Sequence, residues 1–273
     1  MTLNLEHMFG ISGQVAIVTG GATGLGLAIV EVLAAAGAKV AIFDINRDVL
    51  HSEEGRLKSQ GFDVLGIRID VADPASLEAG VEKVVRHWGA LDIMIANAGT
   101  DPGPGYLKPG EMERRPENWL ENYRDDRWHE TVRISLDAVF FTARAAARHM
   151  RPQRSGRIII ITSIAALRPS PNAGVAYAAA KAGAAQATRG FALELAGENI
   201  LVNAIAPGPF ATGVVAEVLR DKTFGSEMRR RMPLGRIALP EEIKGLALFL
   251  SSPASAYITG QQFVIDGGAT LGS

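Results

Sequence analysis

"VAIVTGGATGLGLAIV" spans Val15 to Val30. Its first part is apolar without alternation up to Thr19, the pattern of a strand buried on both faces. Gly20, Gly24 and Gly26 then break the run. Beyond them Leu25, Ala28, Ile29, Val32 and Leu33 recur at helical spacing, and Gly37 ends the stretch. The segment reads as a strand, a tight turn and a helix.

Working outward, six further apolar runs repeat the strand signature: "KVAIFD" from Lys39, "VLGIRID" from Val64, "LDIMIAN" from Leu91, "RIIIITS" from Arg157, "ILVNAIAP" from Ile200 and "QFVIDG" from Gln262. Helix-like stretches separate them. Those over Pro74–Trp88 and Pro240–Leu250 open with proline, which suits a first helical turn. Strand alternating with helix predicts a doubly wound, Rossmann-like α/β fold. Its sheet is mostly parallel and seven-stranded, with helices on both faces. No linker divides the chain, so residues 1–273 read as one domain. Two segments exceed the alternation. Thr100–Arg127 carries four prolines and the charged run "EMERRPENWLENYRDDRW", while Phe210–Gly235 carries "MRRRM". Long connections of this kind are commonly functional covers.

Composition narrows the function. The chain has 273 residues, 47% hydrophobic and 21% charged, which suits an ordered core. A net charge of −1 gives no general attraction to nucleic acid or to an anionic membrane. With no cysteine there is no disulfide, thiolate metal site or cysteine nucleophile. The N-terminus lacks a secretory pattern and no apolar run reaches ~18 residues. The expectation is a soluble, cytoplasmic protein without a metal.

The glycine turn suggests a ligand. A dinucleotide pyrophosphate needs close backbone approach and N–H donors at a helix N-terminus, where side chains would obstruct it. A tight turn without a ligand is the simpler alternative, but the strand before and helix after favour binding. Asp44 ends the second strand, 18 residues after Gly26. There it can accept hydrogen bonds from adenosine ribose hydroxyls and repel a 2′-phosphate, which favours NAD over NADP. It would serve equally as a helix N-cap. No Arg or Lys lies between Thr19 and Glu31; Arg47 is the nearby cation.

The second chemical constellation lies in "ITSIAALRPSPNAGVAYAAAK", Ile161–Lys181. Tyr177 and Lys181, four residues apart, share one helix face. A phenol of pKa ~10 is a poor base. An ammonium ~4 Å away, at an effective dielectric of ~20, favours the phenolate by about 4 kcal/mol, enough to bring it towards working pH. Ser163 closes the fifth strand at its C-terminal end, where open α/β sheets bind ligands. A surface Tyr–Lys pair and a strand-end serine are the simpler alternatives.

Together these motifs resemble the short-chain dehydrogenase/reductases, from about Gly10 to Gly268. Thr19, Gly20, Gly24 and Gly26 match that family's TGxxxGxG. Asn97-Ala98-Gly99 match its NAG, Tyr177 and Lys181 its YxxxK with Ser163 upstream, and Pro207-Gly208 its PG with Thr212 following; "ITGQQFVIDGGAT" resembles its C-terminal segment. The resemblance implies an NAD-dependent oxidoreductase acting on a secondary alcohol or ketone, with Tyr177 exchanging the proton, Ser163 orienting the oxygen and Lys181 tuning the phenol and binding the nicotinamide ribose. It implies a nucleotide site of Gly20, Thr23, Gly24, Leu25, Gly26, Asp44, Asp70, Val71, Asn97, Ala98, Gly99, Tyr177, Lys181, Pro207, Gly208 and Thr212. A homotetramer or homodimer is also implied, paired through the segments holding "AVFFTARAAARHM" and "AYAAAKAGAAQATRGFALEL".

Two departures stand out. Ser135, seven residues after Trp128, occupies the register of a family Asn that helps hold a relay water. Ser163 and Tyr177 lie 14 residues apart, often one more than in relatives, and the extra residue falls in "RPSPNAG". For the substrate, Phe210, Val214, Val215, Val218 and Leu219 suggest an apolar wall. Arg229, Arg230 and Arg231 suit an anionic group or simply a solvated face. A polyol or sugar dehydrogenase is the second enzyme reading, and a non-catalytic NAD-sensing regulator the reading from another class.

Overall fold

The computed structural model describes residues 4–100, 116, 119–170, 173–213 and 232–271. Seven strands form one sheet: β1 Val15–Thr19, β2 Lys39–Asp44, β3 Val64–Arg68, β4 Ile93–Ala96, β5 Gly156–Ile161, β6 Ile200–Pro207 and β7 Gln262–Ile265. Their order is β3-β2-β1-β4-β5-β6-β7 and every neighbouring pair is parallel. All seven fall on the apolar runs.

The unbroken apolarity of these runs has a direct cause. In β1, Val15 and Ile17 enter one core with Phe43, Leu77, Val81 and Met94. Ala16 and Val18 enter the other with Ile29, Leu33, Ile42 and Ile95. Successive side chains face opposite sides and neither side meets water.

Around the sheet lie α1 Leu5–Phe9, α2 Gly24–Ala35, α3 Arg47–Ser59, α4 Pro74–Trp88, α5 Asp125–Val132, α6 Ala138–Gln153, α7 Val175–Leu195 and α8 Lys244–Ser251. In α2, Ala28, Ile29 and Leu33 are buried, and Leu25 and Val32 pack at the margin of that core. The ends of α4 are set locally. Asp73 accepts the Ala75 N–H, Pro74 opens the first turn, and Gly89 closes the helix at φ 87 by donating to the Val85 carbonyl.

The stretch expected as a helix over Pro240–Leu250 is divided. Pro240–Ile243 forms a 3₁₀ turn before α8. The Glu242 carboxylate accepts the Leu239 N–H at 2.9 Å and both Arg236 Nη donors, which tightens this turn. Between α5 and α6, Arg133–Asp137 adopts a π turn. Of Thr100–Arg127, only Thr100, Pro116 and 119–127 are among the described residues; of the Phe210–Gly235 cover, only 210–213 and 232–235 are. Val214, Val215, Val218, Leu219 and Arg229, Arg230 and Arg231 lie outside them. Among the described residues, no helix is long and apolar enough to cross a membrane.

Two glycines in helices give opposite expectations. A methyl group at Gly26 would lie 2.1 Å from the Gly20 carbonyl oxygen and 2.5 Å from Asn97 Nδ2, whereas one at Gly55 in α3 meets nothing within 4 Å. Gly55→Ala raises stability by about 0.5–1 kcal/mol through helix propensity. Gly26→Ala lowers it by about 1–3 kcal/mol through overpacking. Urea unfolding midpoints of the two variants check this; a matching sign would refute it.

Candidate active site

The sheet order reverses between β1 and β4, and the strand ends there open a crevice. Two loops are joined across it. Thr19 Oγ1 accepts the N–H groups of Asn97 and Ala98 at 3.0 and 3.1 Å and donates to the Ile95 carbonyl at 3.3 Å. Asn97 Nδ2 returns the link, donating to the carbonyls of Thr19 and Gly20, both at 3.0 Å. The side chain of Asn97, expected to touch a nucleotide, thus holds the glycine turn in shape. Thr19 is the hub of that link, a role its sequence position at a strand end before glycine hints at but does not specify.

The glycine turn itself has the form an anion needs. Gly20 and Gly24 take φ 60 and 55, where an L side chain is strained. The contact between Gly26 and the Gly20 carbonyl brings α2 hard against the turn. No side chain caps the start of α2 at Thr23, and its first turn contains no acid. The leading N–H groups of Gly24, Leu25 and Gly26 therefore face outward with the positive end of the helix dipole. Thr212 stands across from Gly24, 3.5 Å from where a β-carbon would be. These features fit the pyrophosphate of a dinucleotide.

Two acids and a glycine turn shape the rest of the crevice. Asp44 accepts the Ala22 N–H at 3.1 Å and the Asn46 N–H at 3.0 Å. It is not the N-cap of α3; Asn46 fills that position by accepting the Val49 N–H. The carboxylate instead ties the end of β2 to the glycine loop. Asp70 accepts the Ala72 N–H at 2.9 Å and faces Arg133 of the π turn at 3.9 Å, beside the buried Val71. On the far side, Gly208 donates to the Ile265 carbonyl. Its lack of a β-carbon is required, because one would lie 2.7 Å from Asp266 Cβ.

The polar groups of β5 and α7 meet at the same edge. Ser163 follows β5 and caps a short 3₁₀ turn, Ile164–Ala166, by accepting the Ala165 N–H at 3.1 Å. Tyr177 lies in the first turn of α7, and Lys181 one turn later. Lys181 is only 3% exposed, and its Nζ donates to the Ile161 carbonyl at 2.7 Å. The same Nζ stands 5.7 Å from the centre of the Tyr177 ring and 3.1 Å from where a β-carbon of Gly99 would be. Gly99 therefore leaves open the space beside the ammonium. Burial pulls the Lys181 pKa down from 10.5 to about 8.

Ser135 borders this space. It is fully buried, and its hydroxyl donates to the Thr100 carbonyl at 3.0 Å while accepting the Thr100 N–H at 3.2 Å. Its donor is thus engaged by the segment that follows Gly99. The site residues expected from the sequence fall at or after the C-terminal ends of β1 to β6, in the first turn of α2, on α7 and, for Ser135, in the π turn before α6.

The whole chain has relatives. A family model described as enoyl-(acyl carrier protein) reductase matches residues 20–270. The chain is 34% identical over 265 residues to gluconate 5-dehydrogenase of Gluconobacter oxydans, covering 97% of each. It is 35% identical to the 3-oxoacyl-[acyl-carrier-protein] reductase of Chlamydia pneumoniae, covering 94% of this chain and 97% of the relative. The crystal structure of a gluconate 5-dehydrogenase from Burkholderia cenocepacia, in complex with NADP and tartrate, matches with a TM-score of 0.87 at 32% identity, covering 99% of this chain and 100% of that one. With the seven-stranded parallel sheet, the family model and these relatives in agreement, the chain belongs to the short-chain dehydrogenase/reductase family of oxidoreductases.

Proposed function

We propose that the protein interconverts a secondary alcohol and its ketone, with NAD(H) preferred as the dinucleotide. One observation carries the chemistry: the buried Lys181 ammonium lies between the Ile161 carbonyl, the Tyr177 ring and the open face of Gly99. In oxidation Tyr177, as phenolate, takes the hydroxyl proton while the carbinol carbon gives up hydride; in reduction the phenol returns the proton to the oxygen. Ser163 holds that oxygen at the end of β5. When bound, the nicotinamide ring accepts the hydride in oxidation and supplies it in reduction. Lys181 stabilises the phenolate through its charge, and with the space beside Gly99 open it would also hold the nicotinamide ribose. Ser135, clamped to Thr100, acts as a positioning residue for the Asn97–Thr100 segment and for water beside it.

A polyol or sugar acid is the second substrate reading, supported by likeness over 97% of the chain to a gluconate 5-dehydrogenase. A non-catalytic sensor is the reading from another class; the presence of Ser163, Tyr177 and Lys181 together in the sequence supports the enzyme reading instead. The preference for NAD rests on Asp44, whose carboxylate is held at the end of β2 where an adenosine ribose would lie. We also infer pairing with a second copy. A groove of about 580 Å³ between α6 and α7 is lined by Phe140, Ala143, Ala147, Phe191 and Leu195, with Arg148 and Glu194 at its rim. Phe140 is 45% exposed there, and an exposed apolar face of this kind suits a symmetric interface.

The reaction is tested with a panel of polyols, aldonates, secondary alcohols and the matching ketones, read at the nicotinamide absorbance. Tyr177→Phe lowers turnover by about 10²–10⁴-fold; full retention would overturn the assignment. Asp44→Ala narrows the ratio of NAD to NADP efficiency, and better wild-type use of NADPH than NADH at equal concentration would refute the preference. Light scattering gives a mass that is a multiple of 28.9 kDa, reduced in Phe140→Glu; a concentration-independent wild-type monomer would exclude the pairing.

Lys181 gives a pH signature in the cofactor-free protein. Below about pH 8 the buried ammonium is charged in both folded and unfolded chains and its burial costs stability. Between about 8 and 10.5 the folded chain has released the proton while the unfolded chain still holds it, so stability rises with pH across that window. Lys181→Met lacks this gain. The unfolding free energy of the wild type relative to the variant therefore climbs by on the order of 2 kcal/mol from pH 7 to 10. A flat difference would show that the ammonium is not buried.

A further inference from the structure

Ile161, Thr162 and Ser163 leave the end of β5 as one short segment, and its two outer residues border the reacting groups. The Ile161 carbonyl accepts Lys181 Nζ at 2.7 Å, and Ser163 caps the turn that follows. Thr162, between them, is buried. Its N–H and its hydroxyl both donate to the Ile205 carbonyl of β6, at 2.8 and 2.9 Å. The hydroxyl proton is thereby used, so Oγ1 acts as an acceptor in its other contact. The donor there is the side-chain amide of Gln262, with Nε2 at 2.8 Å. Gln262 belongs to β7, two strands from β5, and its register partner in β6 is Ala204. Strand alternation puts Ala204 and Ala206 on one side of β6, the side packed by α6 and α7. Both carry only a methyl group, which leaves the longer amide room to cross. Ladder bonds join β5 to β6 and β6 to β7; the Gln262 amide joins β7 to β5 directly.

We propose that Gln262 is a positioning residue for the reaction: by holding the Thr162 hydroxyl it fixes the segment that presents the Ile161 carbonyl to Lys181 and the Ser163 hydroxyl to the reacting oxygen. The inference rests on the reading of Ser163, Tyr177 and Lys181 as the reacting groups. A carbonyl and a hydroxyl on either side of one residue cannot move independently when that residue is pinned by three hydrogen bonds. Two of the three come from the neighbouring strand. The third comes from Gln262, 100 residues away in sequence. Without it the Thr162 side chain loses its only partner beyond β6 among the described residues, and the segment it anchors loosens. A misplacement of about 1 Å at reacting groups costs up to about 100-fold in rate. Gln262 acts on the rate through Thr162 and leaves the binding of either ligand to other residues.

The test separates turnover from binding and from stability. Turnover is read on the most active member of the alcohol, aldonate and ketone panel. Gln262→Leu and Gln262→Met, which keep an apolar side chain but lose the donor, lower kcat by about tenfold. The substrate KM and the NADH dissociation constant, read by NADH fluorescence, stay within about twofold. Thr162→Val gives a similar loss, and the double variant Gln262→Leu/Thr162→Val loses no more than either change alone. Thr162→Ser, which keeps the hydroxyl, stays near wild type. Gln153→Leu is the control. Its amide bridges the N–H and carbonyl of Leu91, beside the start of β4 at the opposite end of the sheet, so its loss lowers the urea midpoint and leaves kcat unchanged. Wild-type kcat in both Gln262 variants, an equal loss of kcat in Gln153→Leu, or additive losses in the double variant would overturn the proposal while leaving the reaction itself in place. No turnover of any panel member by wild type, or full activity in Tyr177→Phe, would instead remove the reading of the reacting groups and this inference with it.

Discussion

The link between Thr19 and Asn97 is the constraint on which the site depends. It sits at the point where the strand order reverses, with helices departing to opposite faces. Parallel strands splay there, and nothing in the ladder itself joins the loop after β1 to the loop after β4. The Thr19 hydroxyl and the Asn97 amide supply that junction with five hydrogen bonds, all from short, rigid side chains. Fixing these loops fixes Gly20 and hence the approach of α2 through Gly26. The uncapped N-terminus of α2 then points into the crevice because it has nowhere else to go.

The second constraint is the opposite in kind: an unfavourable burial that the fold sustains. Placing an ammonium in the interior is costly unless it is paired. Among the described residues Lys181 donates to the Ile161 carbonyl and stands over the Tyr177 ring. Its depressed pKa is the measure of what is left uncompensated. Gly99 keeps the neighbouring volume open, and Ser135 secures Thr100 immediately beyond it. A site that leaves a charge only partly satisfied is poised for a ligand hydroxyl or a phenolate to complete it.

How much of this is legible in the sequence depends on the range of each interaction. The seven strands are legible because burial on both faces writes itself into every consecutive residue. Tyr177 and Lys181 are legible because helical spacing relates them. The link of Asn97 to Thr19 is not, since the partners lie 78 residues apart and nothing local marks their pairing. Asp44 illustrates the limit: its position at a strand end admits both a ribose contact and a helix cap, and only the fold shows Asn46 taking the cap. The π turn that buries Ser135 leaves no residue pattern distinct from a continuous helix. The 3₁₀ turn before α8 follows from Glu242 reaching back to Leu239 and out to Arg236, a competition among side chains that periodicity does not register.

Asp44 also joins recognition to architecture. Its oxygens hold the Ala22 and Asn46 N–H groups, so the carboxylate that would meet a ribose is also the brace between β2 and the glycine loop. A substitution there changes two things at once, the charge seen by the adenosine end and the position of the turn that holds the pyrophosphate.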